Sequence, residues 1–148
     1  MTLNVLNPYN QNVFAEPPFD TNTQIGDKLD VALRAFAMWR RLPLEERINC
    51  VKKGLDYLQI NKEVIAKEIS CQMGKPISQS RNEFSGFFER AEHMLDIASE
   101  TLVIDTLPAL AGFHRRIEHE PLGVVLDIAA WKYPLFIAVN VVFPALLA

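Results

Sequence analysis

No two glycines of this sequence stand two positions apart, so the GxGxxG fingerprint of a dinucleotide fold is missing, and so is the glycine-rich phosphate loop. Its two cysteines, Cys50 and Cys71, are too few for a small disulfide scaffold and form no CxxC pair. HExxH and GxSxG are also absent. Positive charge is not in excess: Lys plus Arg is 15 against Asp plus Glu at 18, which argues against a nucleic-acid partner. The opening Met1-Thr2-Leu3-Asn4 has neither a basic nor an apolar leader region, so no signal peptide is expected and the cytoplasm is the expected location. Long apolar runs are scarce as well. The only one, Tyr133 to Ala148, has 16 residues interrupted by Pro134, Asn140 and Pro144. A membrane span needs about 20, and no Lys/Arg-rich face accompanies this run, so a helix buried on all sides of a globular protein is expected, with no membrane contact.

What is present is globular. The 148 residues are 49% hydrophobic and 22% charged, enough to bury a core without disulfides or metal. Residues 1–20 read as an irregular, extended arm, because Pro8, Pro17 and Pro18 disfavour helix in the residue before each. A helical period follows through Ile25, Leu29, Leu33 and Phe36, with Thr23 or Asp27 as its cap. Pro43, with Glu45 and Glu46 behind it, opens a second helix whose buried face is Ile48, Val51, Leu55 and Leu58. Asn61 caps a third, running through Val64, Ile65 and Ile69 to Gly74. The longest helical period carries Ile77, Arg81, Phe84, Phe88, Ala91, Leu95, Ala98 and Leu102. Phe84, Phe87 and Phe88 are expected to be core aromatics.

From Phe113 the period changes from 3.6 to 2. Phe113–Glu120 reads as a strand with a polar face, broken by Pro121-Leu122-Gly123. Val124–Ala130 reads as a strand buried on both faces apart from Asp127, and Trp131–Pro134 turns it into the apolar helix. A buried strand feeding an apolar helix is the opening of a parallel βαβ unit, whose second strand this chain does not carry.

Candidate chemistry is sparse. His114 and His119 have opposite parity on the expected strand and cannot share a metal, and no other metal set is expected. His93 and Glu89 are read as a surface pair, and Glu118-His119-Glu120 as a solvated edge. Cys50 and Cys71 are read as small core residues with nothing beside them to lower a thiol pKa.

The combined motifs say more. Trp39 with Leu42-Pro43-Leu44-Glu45-Glu46-Arg47 comes first, then Gln72-Met73-Gly74-Lys75-Pro76 and Glu120-Pro121-Leu122-Gly123-Val124-Val125. Trp131-Lys132-Tyr133-Pro134 and Pro144-Ala145-Leu146-Leu147-Ala148 complete the series. In this order they resemble the amino-terminal portion of the NAD(P)-dependent aldehyde dehydrogenase superfamily. The resemblance implies an α/β fold with a helical amino-terminal region, an arm strand, and the opening strand and helix of a Rossmann-like cofactor domain, cut short. It divides the chain into an arm (1–20), a helical region (21–106), an arm or oligomerisation strand (107–121) and the start of the cofactor domain (122–148). Implied as cofactor is NAD or NADP, passing Ile128, Ala129, Ala130 and Trp131 on its nicotinamide-ribose side. Implied partners are an aldehyde substrate, other copies of the chain, or the remainder of a dehydrogenase subunit.

Two departures stand out. The family usually has Asn after this Trp, holding the oxyanion of the hemithioacetal intermediate; here the position is Lys132. Losing such a donor typically costs ~10²–10³ in turnover, and an ammonium there would also repel an oxidised nicotinamide ring. Lys132 therefore either donates to the oxyanion on a longer stem or points to solvent. Nor does any residue among 1–148 match the family's nucleophilic Cys or general-base Glu, so the chain by itself is expected to be inactive. The alternative function is a non-catalytic interaction or oligomerisation module, motivated by nine large apolar side chains between Leu135 and Leu147 that need covering.

Overall fold

The computed structural model describes residues 2–148. Its elements run β1 (Val5–Leu6), β2 (Val13–Ala15), α1 (Asn22–Trp39), α2 (Leu44–Ile60), α3 (Lys62–Met73), α4 (Ile77–Thr101), β3 (Asp105–Thr106), β4 (Arg116–Ile117) and α5 (Pro134–Leu147). The expected class, helical region first and mixed α and β overall, holds. The arm is more ordered than expected: β1 and β2 form an antiparallel hairpin, with Pro8 in its turn resting on Gly74. That contact and the left-handed φ of 72° together require glycine at the end of α3, since an added Cβ would lie 3.0 Å from Pro8 Cβ.

The N-terminal cap of helix α1 comes before either expected one, two residues ahead of Thr23 and six ahead of Asp27. Thr21 is the cap: its hydroxyl accepts from Gln24 N at 3.2 Å while Gln24 Oε1 accepts from Thr21 N at 2.8 Å. The apolar stripe of α1 does not join the core, because Ile25, Leu29 and Leu33 are exposed and the helix buries no residue. The second helix forms as read, with Pro43 at its N-cap, Glu45 and Glu46 in the first turn, and Val51 and Leu55 buried. In α3 the buried residues are Ala66 and Ile69, while Val64 is exposed.

Two adjoining clusters make the core. One joins Val51 and Leu55 of α2 to Phe87, Ala91, Leu95 and Ala98 of α4 and to Val139, Phe143 and Leu147 of α5. The other joins Ala66 and Ile69 of α3 to Phe84 of α4. Phe87 links the two longest faces, meeting the rings of Phe88 and Phe143 edge-on at 5.3 and 5.8 Å between centroids. The three phenylalanines are core aromatics, as expected: Phe84 and Phe87 are buried and Phe88 packs against both clusters. Gly86 brings the backbones close, for a Cβ there would lie 3.0 Å from the Phe136 ring.

Four expectations need correction. Helix α5 forms, but it is not buried on all sides. It buries the i, i+4, i+8 stripe Val139, Phe143 and Leu147 and leaves Ile137, Val142 and Leu146 exposed. Of the strand expected at Phe113–Glu120, only Arg116–Ile117 forms a strand, antiparallel to Asp105–Thr106, while Phe113 makes an isolated bridge to Leu110. Val124–Ala130 forms no strand, and Leu126 and Ile128 are 83% and 84% exposed. A ladder needs a neighbour to exchange hydrogen bonds with, and the described residues supply none beside this segment. Cys50 is exposed on α2, not in the core, and Cys71 is half-buried on α3. No helix is long and apolar enough to cross a membrane among the described residues.

Replacing Phe87 by Ala should cost about 3–5 kcal/mol, because it opens a cavity where α2, α4 and α5 meet. A urea titration followed by far-ultraviolet circular dichroism measures it. A midpoint equal to that of the parent chain would place the core elsewhere.

Candidate functional site

The segment singled out by sequence lies where the chain turns into α5. Pro134 occupies the first helical position, where its missing N–H is no loss. The next two donors are taken by a side chain from another helix: Leu135 N and Phe136 N donate to Glu83 Oε1 of α4 at 2.9 and 3.2 Å. Ile137 N then closes the first intrahelical bond, to Tyr133 O at 2.9 Å. The first turn of α5 therefore has no unsatisfied N–H, and its positive end faces a carboxylate.

That carboxylate is itself paired. Lys75 Nζ donates to Glu83 Oε2 at 2.7 Å, and the two side chains are 6% and 0% exposed. The same ammonium lies 3.9 Å from the centre of the Tyr133 ring. Lys75 is placed by the corner between α3 and α4, where Gly74 ends one helix and Pro76 caps the next, keeping Lys75 out of both. Beside it, Ser70 and Ser80 share a hydroxyl hydrogen bond of 2.9 Å. A recess of about 370 Å³ opens next to the turn, lined by Gln79, Asn82, Glu83, Gly86, Tyr133 and Phe136.

The other end of α5 is also held from outside. Trp39 Nε1 donates to Leu146 O at 2.9 Å, and Arg47 Nη1 to Ala148 O at 2.7 Å. Asn140, the one polar side chain of the helix, donates back to Phe136 O at 2.8 Å and accepts from Arg90 at 3.0 Å.

The residues named from sequence form one exposed strip and do not converge on a pocket. Ile128 and Trp131 are 84% and 74% exposed, Ala130 and Lys132 are exposed, and Ala129 is half-buried. Lys132 has no ion-pair or hydrogen-bond partner among the described residues. His93 and Glu89 both lie exposed on α4, Glu118, His119 and Glu120 are solvated, and Glu120 pairs with Arg40 at 3.3 Å.

Sequence reading missed Glu83. Its signal was available: Glu83, Phe87, Ala91 and Leu95 recur every four residues, which places a carboxylate on the core face of α4. A charge there needs a partner, and of the two basic residues that closely precede it Arg81 pairs with Glu63 and leaves Lys75 of the Gly-Lys-Pro motif to Glu83.

The aldehyde dehydrogenase family model matches residues 1–148. A malonate-semialdehyde dehydrogenase of Bacillus licheniformis is 33% identical over 135 residues, which are 90% of this chain and 28% of that protein. An aldehyde dehydrogenase structure from Brucella melitensis superposes with a TM-score of 0.92 at 26% identity, covering 100% of this chain and 31% of that one. An NADP-dependent glyceraldehyde-3-phosphate dehydrogenase of Bacillus halodurans, solved with NADP, gives a TM-score of 0.89 at 27% identity over 99% of this chain and 32% of its own. The chain thus spans roughly three tenths of the length of the relatives it matches.

Lys75→Met should cost about 3 kcal/mol or more, since it leaves Glu83 charged and unpaired in the interior. Adding Glu83→Gln to it should recover part of that loss, because the neutral amide oxygen still accepts from α5. Chemical denaturation of both variants decides this; a double variant no better than the single one would mean the pair is not coupled.

Proposed function

The chain belongs to the aldehyde dehydrogenase family, and we propose that it forms the helical region and cofactor-facing turn of an NAD- or NADP-dependent enzyme oxidising an aldehyde to a carboxylic acid. The observation that carries the reading is the placement of Ile128–Trp131. This apolar strip is open to a ligand while its attachment to α5 is fixed from the protein interior. When bound, NAD or NADP supplies the hydride acceptor.

The strip suits the flat, weakly polar nicotinamide-ribose side of such a cofactor, with Ile128 and Trp131 as apolar walls and Ala129 and Ala130 allowing close approach. It does not suit the pyrophosphate. The amides that a helix N-terminus would offer to phosphate already donate to Glu83. Lys132 sits immediately after Trp131, exposed, on a flexible stem that can reach an oxyanion formed beside the strip. The covalent step is assigned to no residue here, since Cys50 lies on the surface of α2 and Cys71 on α3, both remote in sequence from the turn.

A second reading has an observation of its own. The exposed stripe Ile25, Leu29 and Leu33 on α1, together with Leu122, Leu126 and Ile128, favours an interaction module that docks on other copies or on the rest of a dehydrogenase subunit. Sedimentation discriminates: a stable dilute monomer counts against this second reading.

The first reading is tested by titrating the chain with NAD⁺ and with NADP⁺ while following tryptophan emission. At least one should quench it saturably, and Trp131→Ala should remove the effect while Trp39→Phe leaves it. Lys132→Asn should tighten the oxidised cofactor by ~3-fold or more by removing a positive charge beside a positive ring. Aldehydes added to the chain should give no reduced-nicotinamide absorbance. Absence of saturable quenching by either cofactor would sink the cofactor-facing turn.

A further inference from the structure

We propose that Glu83 is a positioning residue for the Trp131–Tyr133 turn, fixing from the interior of the helical region where the strip 128–132 stands. The proposal rests on the reading of that strip as cofactor-facing. Three contacts carry it. One carboxylate oxygen takes the only two free amides at the start of α5, Leu135 N and Phe136 N. The other takes Lys75, whose ammonium also sits under the Tyr133 ring at 3.9 Å. Gly86, three residues along α4, removes the Cβ that would push Phe136 away.

Together these fix the turn on three of the four residues after Lys132, namely Tyr133 through its ring and Leu135 and Phe136 through their amides, with Pro134 between them restricting φ. Among the described residues no comparable contact holds 124–132 itself. Val125, Leu126, Ile128 and Trp131 are exposed, and this segment joins no ladder. The placement of the strip is therefore set at its α5 end. Glu83 uses the main-chain donors of the helix end, so what a ligand meets at the strip is its own unladdered main chain together with two side-chain donors, the Lys132 ammonium and the Trp131 indole. Their position is decided by a carboxylate that touches neither.

The test compares the full chain with Glu83→Gln, Glu83→Ala and Leu95→Ala, the last a core truncation on the same helix three turns away. Amide exchange of Leu135 and Phe136 is read by NMR, and NAD⁺ and NADP⁺ affinity by tryptophan quenching. In Glu83→Ala the two amides should exchange about tenfold faster or more, with 91–98 changed far less. Glu83→Gln should restore most of their protection, since its amide oxygen can still accept both bonds. Leu95→Ala should speed exchange along α4 and α5 alike. Cofactor affinity should fall in the same order as the protection of the turn. The idea is overturned if Gln rescues no better than Ala, or if Leu95→Ala reproduces the local pattern. Should Glu83→Ala not fold, Glu83→Gln decides alone: faster exchange confined to 133–137 supports the role, and an even rise along α2–α5 overturns it. A parent chain that binds neither cofactor while the exchange pattern holds removes the cofactor reading and leaves the positioning role standing. Equal cofactor affinity in the parent and both Glu83 variants does the reverse.

Discussion

Helix α5 has no charged side chain, and it must still satisfy the polar groups at both of its ends; the arrangement of the other helices follows from that constraint. An apolar helix packed on a bundle cannot leave its terminal amides to water on the buried side without losing about 1–3 kcal/mol for each one left unmade. Here the N-terminal donors go to Glu83 of α4, and the C-terminal carbonyls receive Trp39 of α1 and Arg47 of α2. The helix is thus capped by residues that precede it by between 50 and about 100 positions. Glu83 in turn needs Lys75, and Lys75 needs the Gly74 and Pro76 corner that puts it between two helices. An ion pair this buried adds little net stability over an apolar substitute. What it supplies is direction: only one placement of α5 gives the carboxylate all three of its donors.

This explains which parts of the fold could be read from sequence. Helices α2 and α4 carry their own signals, with a proline start and a stripe of Val51, Leu55, Phe84, Phe87, Ala91 and Leu95 at helical spacing. Those signals are local, and the structure follows them. The cap of α1 was not legible, since Thr21, Thr23 and Asp27 are all capable residues and only the reciprocal bond with Gln24 selects Thr21. The stripe on α1 was legible as amphipathic, but a pattern does not say whether the face finds a partner. The same holds for Val124–Ala130. Its composition suits a strand buried on both faces, yet strand formation is decided by neighbours that composition does not provide. Cys50 went astray for a simpler reason: residue type alone assigned it to the core, while its position on α2 falls outside the Val51–Leu55 face.

The candidate site divides in the same way. Trp131, Lys132 and the Ile128–Ala130 strip were found through motif resemblance, which locates a turn along the chain without saying what holds it. The holding residues were visible only through a conflict, a carboxylate at a core-facing position of α4. Such conflicts between local chemistry and burial are where a sequence points to a specific contact, since a buried charge has few ways to be satisfied. Lys75 had been noticed for the motif it belongs to, and its physical task is the answer to that conflict.

Two lysines close to one turn have opposite circumstances. Lys75 is 6% exposed, with its charge matched by Glu83 and covered by Tyr133; Lys132 is exposed and has no such partner. The buried one fixes geometry, because moving it would strip a carboxylate of its counter-charge in a low-dielectric interior. The exposed one can respond to whatever approaches the strip, because its stem is free and its charge is hydrated until something displaces that water. A cation in that position favours ligands with a negative or developing negative oxygen and disfavours a positive ring, by the same charge. Since Glu83 has already absorbed the helix-end amides of α5, the positive end of that helix does not soften this choice. The electrostatic character of the turn toward a ligand is carried by Lys132, and its location by Glu83.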